Sequence, residues 1–361
     1  MRILFCGGGT AGHVYPNIAI AETFKRNEIN VKMAYVATED GIENRLIDFK
    51  KYKIDVIGLN KTSLIKNINC LKKLVQSIGE CKRIIKEFRP DVIIGTGGYA
   101  TFPVIYAGNK LGIKTILHES NILPGKAIRS LEKRANKIFV NFEESKQYFK
   151  NKDKIIRTGN PVRQAFYSIS KEKAREALNI KEKYVILCFG GSLGASKINN
   201  SAIELIDNLV RHRKDIFLIW ATGKKEYTKI KSQLIHLGLS KLKNVMIRDY
   251  IDNMPEVLAS TDIVICRAGA MTISEVALCG KCTIFIPSPN VANNHQYKNA
   301  EALFNKEAAR LLKESELFRL TDEVRELIEN EEKRIAMEKE IRKFAVEDAN
   351  KVIYREILNI I

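Results

Sequence analysis

Three stretches of this 361-residue chain place bare backbone amides beside a few polar side chains. The first is Cys6-Gly7-Gly8-Gly9-Thr10-Ala11-Gly12-His13. Glycines between a strand and a helix start leave N–H groups next to the positive end of the helix dipole, an arrangement that binds phosphate. The same dipole disfavours a cation, so His13 is expected to be neutral and able to take a proton from a hydroxyl. A helix-capping or packing histidine is the plainer alternative, although the surrounding glycines argue against burial. The second stretch, Phe189-Gly190-Gly191-Ser192-Leu193-Gly194-Ala195, repeats the phosphate-cradle pattern. The third, Cys266-Arg267-Ala268-Gly269-Ala270-Met271-Thr272-Ile273-Ser274-Glu275, puts a carboxylate in the expected first helical turn. There it could simply favour the dipole, or it could take both hydroxyls of a ribose.

Other motifs carry less. Gly7-x-Gly9-x-x-Gly12 matches the dinucleotide fingerprint, but Glu39 and Asp40 come late for the ribose-binding acid, and His13 sits where a small residue is usual. No phosphate-loop sequence of the Gly-Lys-Ser/Thr type occurs. Cys279-Gly280-Lys281-Cys282 looks like a redox pair, yet it ends a helix and opens a strand, the reverse of the context that activates a thiol. No Asp-x-Asp pair stands in a suitable loop, so neither a metal nor a cofactor is expected.

Positioning these loops requires a repeated β-α-β chain. Apolar runs at Arg2–Cys6, Val31–Ala37, Lys53–Gly58, Val92–Gly95, Thr115–His118, Lys137–Val140 and Lys154–Arg157 read as strands covered on both faces. Helical patterns at Pro16–Arg26, Asn67–Phe88 and Phe102–Leu111 fill the gaps. The pattern restarts with strands at Tyr184–Cys188, Ile216–Ala221, Val245–Arg248, Ile263–Cys266 and Cys282–Ile286. Its helices are expected at Ala195–Val210, Lys225–Leu237, Met271–Cys279 and His295–Lys306, and a Glu- and Lys-rich helical tail follows Thr321. The fold class is therefore α/β, with two Rossmann-like, doubly wound parallel-sheet domains and a cleft expected between them. The turn at Gly159-Asn160-Pro161-Val162-Arg163 marks the boundary. The domains are expected at 1–163 and 164–344.

Composition narrows the partners. A hydrophobic fraction of 45% and a charged fraction of 28% are globular proportions. The net charge is +18, of which residues 1–160 carry +13 and residues 161–361 carry +5. Such a half suits an anionic partner or simply solubility. Nucleic acid is not expected, since no stacking platform or helix-turn-helix accompanies the charge. No stretch suits a spanning helix or an export signal, and seven scattered cysteines read as reduced thiols. Residues 61–90 join basic side chains to Leu64, Ile65, Ile68, Leu71, Val75 and Ile78 at helical spacing. That is either an ordinary covering helix or a surface that meets an anionic membrane.

Taken together, the motifs closely resemble one family, the MurG cell-wall glycosyltransferases. The likeness runs through Gly8–His13, Gly95-Thr96-Gly97-Gly98-Tyr99, His118-Glu119-Ser120-Asn121 and Gly159–Arg163. It continues through Gly190–Ala195, Tyr250-Ile251-Asp252-Asn253-Met254, Ala270–Glu275 and Gln296-Tyr297-Lys298-Asn299-Ala300. Leu193 departs from a frequent glutamine, which removes one polar contact from that loop. Ala11 replaces a common glycine, and His295 precedes Gln296 where another polar residue can stand.

The resemblance implies a GT-B fold, a terminal helix over 345–361 returning to the first domain, and inverting transfer of N-acetylglucosamine. The donor would be UDP-N-acetylglucosamine. The acceptor would be the 4-hydroxyl of undecaprenyl-diphospho-N-acetylmuramoyl-pentapeptide. It implies donor contacts at Thr10, Ala11, Gly12, Asn121, Arg163, Ser192, Ile251, Ala270, Met271, Thr272, Ile273, Ser274, Glu275 and Gln296. Ile251 would hold the uracil through its backbone, Glu275 the ribose, and Asn121 and Gln296 the sugar. His13 is the expected base, with Glu119 and His118 as lesser helpers. Peripheral attachment to the cytoplasmic face of the cell membrane is implied, with other cell-wall enzymes as further partners. A nicotinamide oxidoreductase and a different GT-B transferase are the competing classes.

Overall fold

The computed structural model describes residues 1–56, 64–191 and 194–361, without the side chains of residues 64–69 and 71. The chain divides into two compact units, one of Met1–Val162 with Val346–Ile361, the other of Arg163–Ala345.

In the first unit the strands are β1 (Arg2–Cys6), β2 (Lys32–Thr38), β3 (Lys50–Ile54), β4 (Val92–Gly95), β5 (Lys114–Glu119), β6 (Lys137–Val140) and β7 (Ile155–Arg157). All pair in parallel, in the order β3-β2-β1-β4-β5-β6-β7. The strand order reverses direction between β1 and β4, so the loops leaving their C-terminal ends diverge and leave room for a ligand. The helices are α1 (Ala11–Asn27), α2 (Glu43–Leu46), α3 (Leu64–Phe88), α4 (Thr101–Lys110) and α5 (Lys126–Leu131). Alternation along β1 shows why the sheet is apolar on both faces. Leu4 and Cys6 join Ile84, Val104, Ile105 and Leu131 on one side. Ile3 and Phe5 meet Val14, Ile20 and Phe24 on the other, where the terminal helix Ala349–Leu358 adds Ile353 and Ile357. That helix is tied to the unit by Asn350 Nδ2, which donates to the Val162 carbonyl at 2.8 Å.

The second unit repeats the plan. Its strands are β8 (Tyr184–Phe189), β9 (Ile216–Ala221), β10 (Val245–Arg248), β11 (Ile263–Cys266), β12 (Cys282–Phe285) and β13 (Arg310–Leu311), in the order β10-β9-β8-β11-β12-β13. Its helices are α6 (Lys171–Ala177), α7 (Ser196–Asn208), α8 (Tyr227–His236), α9 (Met254–Ser260), α10 (Ala270–Cys279), α11 (His295–Phe304), α12 (Leu320–Glu329) and α13 (Glu331–Arg342). Trp220 lies fully buried in β9, and its indole N–H donates to Asn199 of α7 at 3.1 Å.

Several expectations need correction. α1 begins at Ala11, not Pro16, because Thr10 caps it in an extended conformation and a proline early in a helix removes only one backbone bond. α3 begins at Leu64, ahead of Asn67. β3 begins at Lys50 and ends at Ile54, ahead of the expected Lys53–Gly58 span. It is an edge strand whose lysines face outward, so its apolar pattern is weak. Cys279 and Cys282 are free thiols pushed up to about 11 and about 12 by burial. The segment between them is helix-stop machinery: Gly280 adopts a left-handed cap, and the buried Lys281 ammonium donates to the Ala259 and Thr261 carbonyls.

Candidate active site

In the first unit two strand-end loops meet. The Gly8 amide donates to the Gly97 carbonyl at 3.3 Å, joining the loop after β1 to the loop after β4. Gly97 and Gly98 have φ of +104° and +82°, which favour glycine. A Cβ at Gly98 would lie 2.2 Å from the Gly8 carbonyl oxygen, and one at Gly97 only 2.9 Å from the His13 ring. Beneath them Asn17 Nδ2 donates to Thr96 Oγ1 at 3.0 Å, while Tyr35 donates to the Gly7 carbonyl at 2.8 Å. These bonds fix the mouth of α1 from below.

His13 is the third residue of α1 and is half-buried. Its Nδ1 lies 3.0 Å from the Gly8 carbonyl and 3.3 Å from Thr10 Oγ1. A carbonyl only accepts, so Nδ1 carries the hydrogen, and in the neutral ring the lone pair then lies on Nε2. Nε2 is the nitrogen that a side chain at residue 97 would crowd, at 3.1 Å from a Cβ there. Thr10 and Gly12 are exposed and Ala11 half-buried at the α1 N-terminus.

His118 and Glu119, expected as lesser helpers, are structural. His118 is fully buried with Nε2 3.2 Å from the Gly159 carbonyl, and burial pulls its pKa down to about 4. Glu119 is buried too, which raises its pKa against the amides that bond it. Its two oxygens accept from the Asn121 amide at 2.9 Å, the Asn121 side-chain Nδ2 at 3.2 Å and the Gly125 amide at 2.8 Å. The carboxylate thus fixes the loop that presents Asn121.

The second unit builds a different surface at the equivalent strand ends. After β8, Gly191 and Gly194 have φ of +92° and +79°. A Cβ at Gly194 would lie 2.2 Å from the Thr222 carbonyl oxygen. Ser192 and Leu193 lie outside the described residues. After β11, Gly269 caps α10 and Ala270 opens it, with Met271 and Thr272 half-buried at its mouth. Ile273 is buried, and the buried Ser274 hydroxyl donates to the Ala270 carbonyl at 3.1 Å, so both side chains serve the helix and core. Glu275 is the sixth residue of α10, past the first turn where it was expected. Burial pushes its carboxyl up to about 7, and Arg163 draws it back. The Arg163 guanidinium lies 5.4 Å from the Phe166 ring centroid. Ile251 is buried just after β10. Gln296, in the first turn of α11, accepts from the Ser288 amide through Oε1 at 2.8 Å, which identifies the other end of its amide as the NH2. Asn293 and Asn294 before it both have left-handed φ, 54° and 51°.

Of the basic helix, α3, only part of the expected surface is described. Val75 is 65% exposed, whereas Ile78 is half-buried against the core of the first unit and is a covering residue. The side chains of Leu64, Ile65, Ile68 and Leu71 lie outside the described residues. No helix among the described residues is long and apolar enough to cross a membrane.

Substituting Gly98 tests the coupling of these loops. Gly98→Ala is expected to lose about 1–2 kcal/mol from the left-handed backbone alone, and more from the contact with Gly8. Urea unfolding of the whole chain measures it; wild-type stability would show that the two loops yield freely.

Two Rossmann-ordered sheets, each with a glycine-rich loop at its switch point, make up a GT-B fold, and the family matches make the class a glycosyltransferase. The glycosyltransferase family 28 N-terminal domain matches residues 3–140, and the family 28 C-terminal domain matches residues 185–353. Two relatives carry the name UDP-N-acetylglucosamine–N-acetylmuramyl-(pentapeptide) pyrophosphoryl-undecaprenol N-acetylglucosamine transferase. The one from Acetivibrio thermocellus is 37% identical over 368 residues, covering 100% of this chain and 98% of the relative. The one from Alkaliphilus metalliredigens is 39% identical over 368 residues, covering 100% of both. The chain belongs to this family of N-acetylglucosamine transferases, commonly called MurG. In fold it is similar to Acinetobacter baumannii MurG, with a TM-score of 0.77 and 24% identity over 99% of each chain. It is also similar to Neisseria meningitidis UDP-GlcNAc 2-epimerase bound to UDP-GlcNAc, at 0.70 and 18% over 99% of this chain and 100% of the other.

Proposed function

We propose that the protein transfers N-acetylglucosamine from UDP-N-acetylglucosamine to the 4-hydroxyl of undecaprenyl-diphospho-N-acetylmuramoyl-pentapeptide. What carries this is the likeness along the full chain to enzymes named for that transfer. The hydroxyl oxygen attacks the anomeric carbon, the bond to UDP breaks, and inversion turns an α-linked donor into a β-1,4 product. His13 Nε2 takes the hydroxyl proton while Nδ1–H stays on the Gly8 carbonyl. The charge developing on UDP is held by amides at the starts of α7 and α10. Glu275 takes the ribose hydroxyls, the Ile251 backbone the uracil, and Asn121 and the Gln296 NH2 the sugar. Thr10, Ala11, Gly12, Arg163, Ser192, Met271 and Thr272 complete the contacts. A thermal-shift series tests the donor: UDP-N-acetylglucosamine should raise the melting temperature more than UDP-glucose at equal concentration. Equal shifts, or none, would remove the sugar-reading role of Asn121 and Gln296.

The acceptor's lipid tail stays in a bilayer, so the protein is proposed to attach peripherally at the cytoplasmic face through the basic, apolar stretch of residues 61–90. Each Lys or Arg near an anionic leaflet contributes about 1 kcal/mol, screened by salt. Apolar insertion adds a part that salt does not remove. Liposome flotation should therefore rise with anionic lipid and fall only partly in salt. Replacing Leu64, Ile65 and Ile68 with Ser should remove the salt-resistant part and leave UDP binding intact. Equal flotation of that variant in high salt would make α3 an ordinary covering helix.

A further inference from the structure

A carboxylate that this chemistry does not use lies directly beneath the base loop. Glu43, the first residue of α2, is fully buried. Its Oε1 accepts from the Thr38 amide at 2.9 Å and the Thr38 hydroxyl at 2.7 Å. Its Oε2 has no hydrogen-bond partner. The side chain occupies the space that side chains at residues 8 and 41 would fill. A Cβ at Gly8 would lie 2.5 Å from Oε1 and 3.0 Å from Oε2, and one at Gly41 would lie 2.0 Å from Oε1. Gly8 is also the residue whose carbonyl holds the Nδ1–H of His13.

A turn staple would explain Oε1 alone. It does not explain a second oxygen left unsatisfied against the loop that orients the base, since an unpaired buried acceptor costs free energy. We propose that Glu43 is a positioning residue for His13: it supports Gly8 from below, and Oε2 receives a backbone amide of the Gly8–Thr10 loop when that loop closes on substrate. An ionised carboxylate at this place would also favour the imidazolium that forms at His13 during the reaction. The other titratable groups around it are the Tyr35 phenol on β2, which donates to the Gly7 carbonyl, and the Lys51 ammonium on β3. The latter is held by the Asn44 and Ile47 carbonyls at 2.9 and 2.8 Å. Lys51 thereby caps the C-terminal end of α2.

The proposal rests on His13 being the base, and the test separates the two. Glu43→Gln keeps the volume and one oxygen for Thr38 but replaces the negative oxygen with an NH2. A staple would tolerate this; a positioning carboxylate would not. The kcat should fall about 10- to 100-fold, as small misplacements of a catalytic group do. The KM for UDP-N-acetylglucosamine should stay within about two-fold, since a base-positioning change alters the chemical step and not ground-state binding. The acidic limb of the pH–rate profile, set by His13 losing its proton, should move to lower pH, and Glu43→Asp should recover part of the rate. A Glu43→Gln enzyme with kcat within two-fold of wild type and an unmoved limb overturns the proposal, whatever its melting temperature. Should Glu43→Gln fail to fold, Glu43→Asp decides: wild-type kcat and pH limb at a lowered melting temperature overturns it, and reduced kcat with a moved limb supports it. His13→Gln tests the base separately. If the base reading holds, the double variant should be no slower than His13→Gln; a further, independent loss places the carboxylate's action elsewhere.

Discussion

His13→Ala is expected to lower kcat by about 10²–10⁴-fold, the usual contribution of a general base, while UDP-N-acetylglucosamine still binds. The geometry supports this size of effect. The Gly8 carbonyl, 3.0 Å from Nδ1, fixes the neutral ring's tautomer and so puts the accepting lone pair on Nε2. The glycines at 97 and 98 are required by their own backbone and by what a Cβ would strike, and they keep the approach beside the ring open. Calorimetry with UDP separates the roles: binding should be preserved in the variant while single-turnover transfer slows. Near-normal turnover at saturating acceptor would make His13 a structural residue of the α1 mouth.

The second large effect falls on donor affinity. Glu275→Ala should weaken UDP binding by about 1.5–3 kcal/mol, the range for hydrogen bonds to a charged group, and weaken it more than the chemical step. The carboxyl stands at about 7 in the ligand-free protein, raised mainly by burial and drawn back by Arg163. A ribose diol is best held by the ionised form, so UDP affinity should fall as pH drops through 7. Glu275→Gln should flatten that dependence relative to wild type, with the titration of UDP common to both. Stability moves the other way. A carboxyl whose folded pKa lies above its unfolded value favours the fold at low pH and loses that contribution as pH rises through both values. Ligand-free Glu275→Gln should therefore melt higher than wild type at pH 8, with the gap closing by about pH 4. A UDP affinity unchanged in Glu275→Ala would remove the ribose role.

The apolar strands were legible because parallel strands under helices must be apolar on both faces. β1 and β8 read as continuous runs, and each was followed by glycines that could only be a turn. β3 was misplaced because its lysines sit on an open edge, where pairing to β2, not hydrophobicity, defines its length. The start of α10 was placed one residue late because Ala268-Gly269-Ala270 read as loop, and Glu275 lies just past the first turn assigned to it. The roles of Glu119 and Glu43 could not be read at all. Glu43 falls in a polar run with the exposed Glu39 and Asp40, and only the turn at Gly41 folds its carboxylate back under Gly8. Such burial follows from two glycines distant in sequence and leaves no periodic signal. Glu39, which follows β2 directly since the strand runs to Thr38, is exposed and sits nearer the dinucleotide position than the sequence suggested. The family 28 matches over both halves exclude the oxidoreductase class.

Transfer itself decides the central claim. Purified protein is mixed with UDP-N-acetylglucosamine, labelled in the sugar, and polyprenyl-diphospho-N-acetylmuramoyl-pentapeptide in anionic vesicles. The label should move to the lipid as a β-1,4-linked disaccharide, with one UDP released per sugar transferred and no reaction when the acceptor is left out. Release of UDP without labelled lipid, an α linkage in the product, or inversion at C2 of the donor sugar in the absence of acceptor would contradict it.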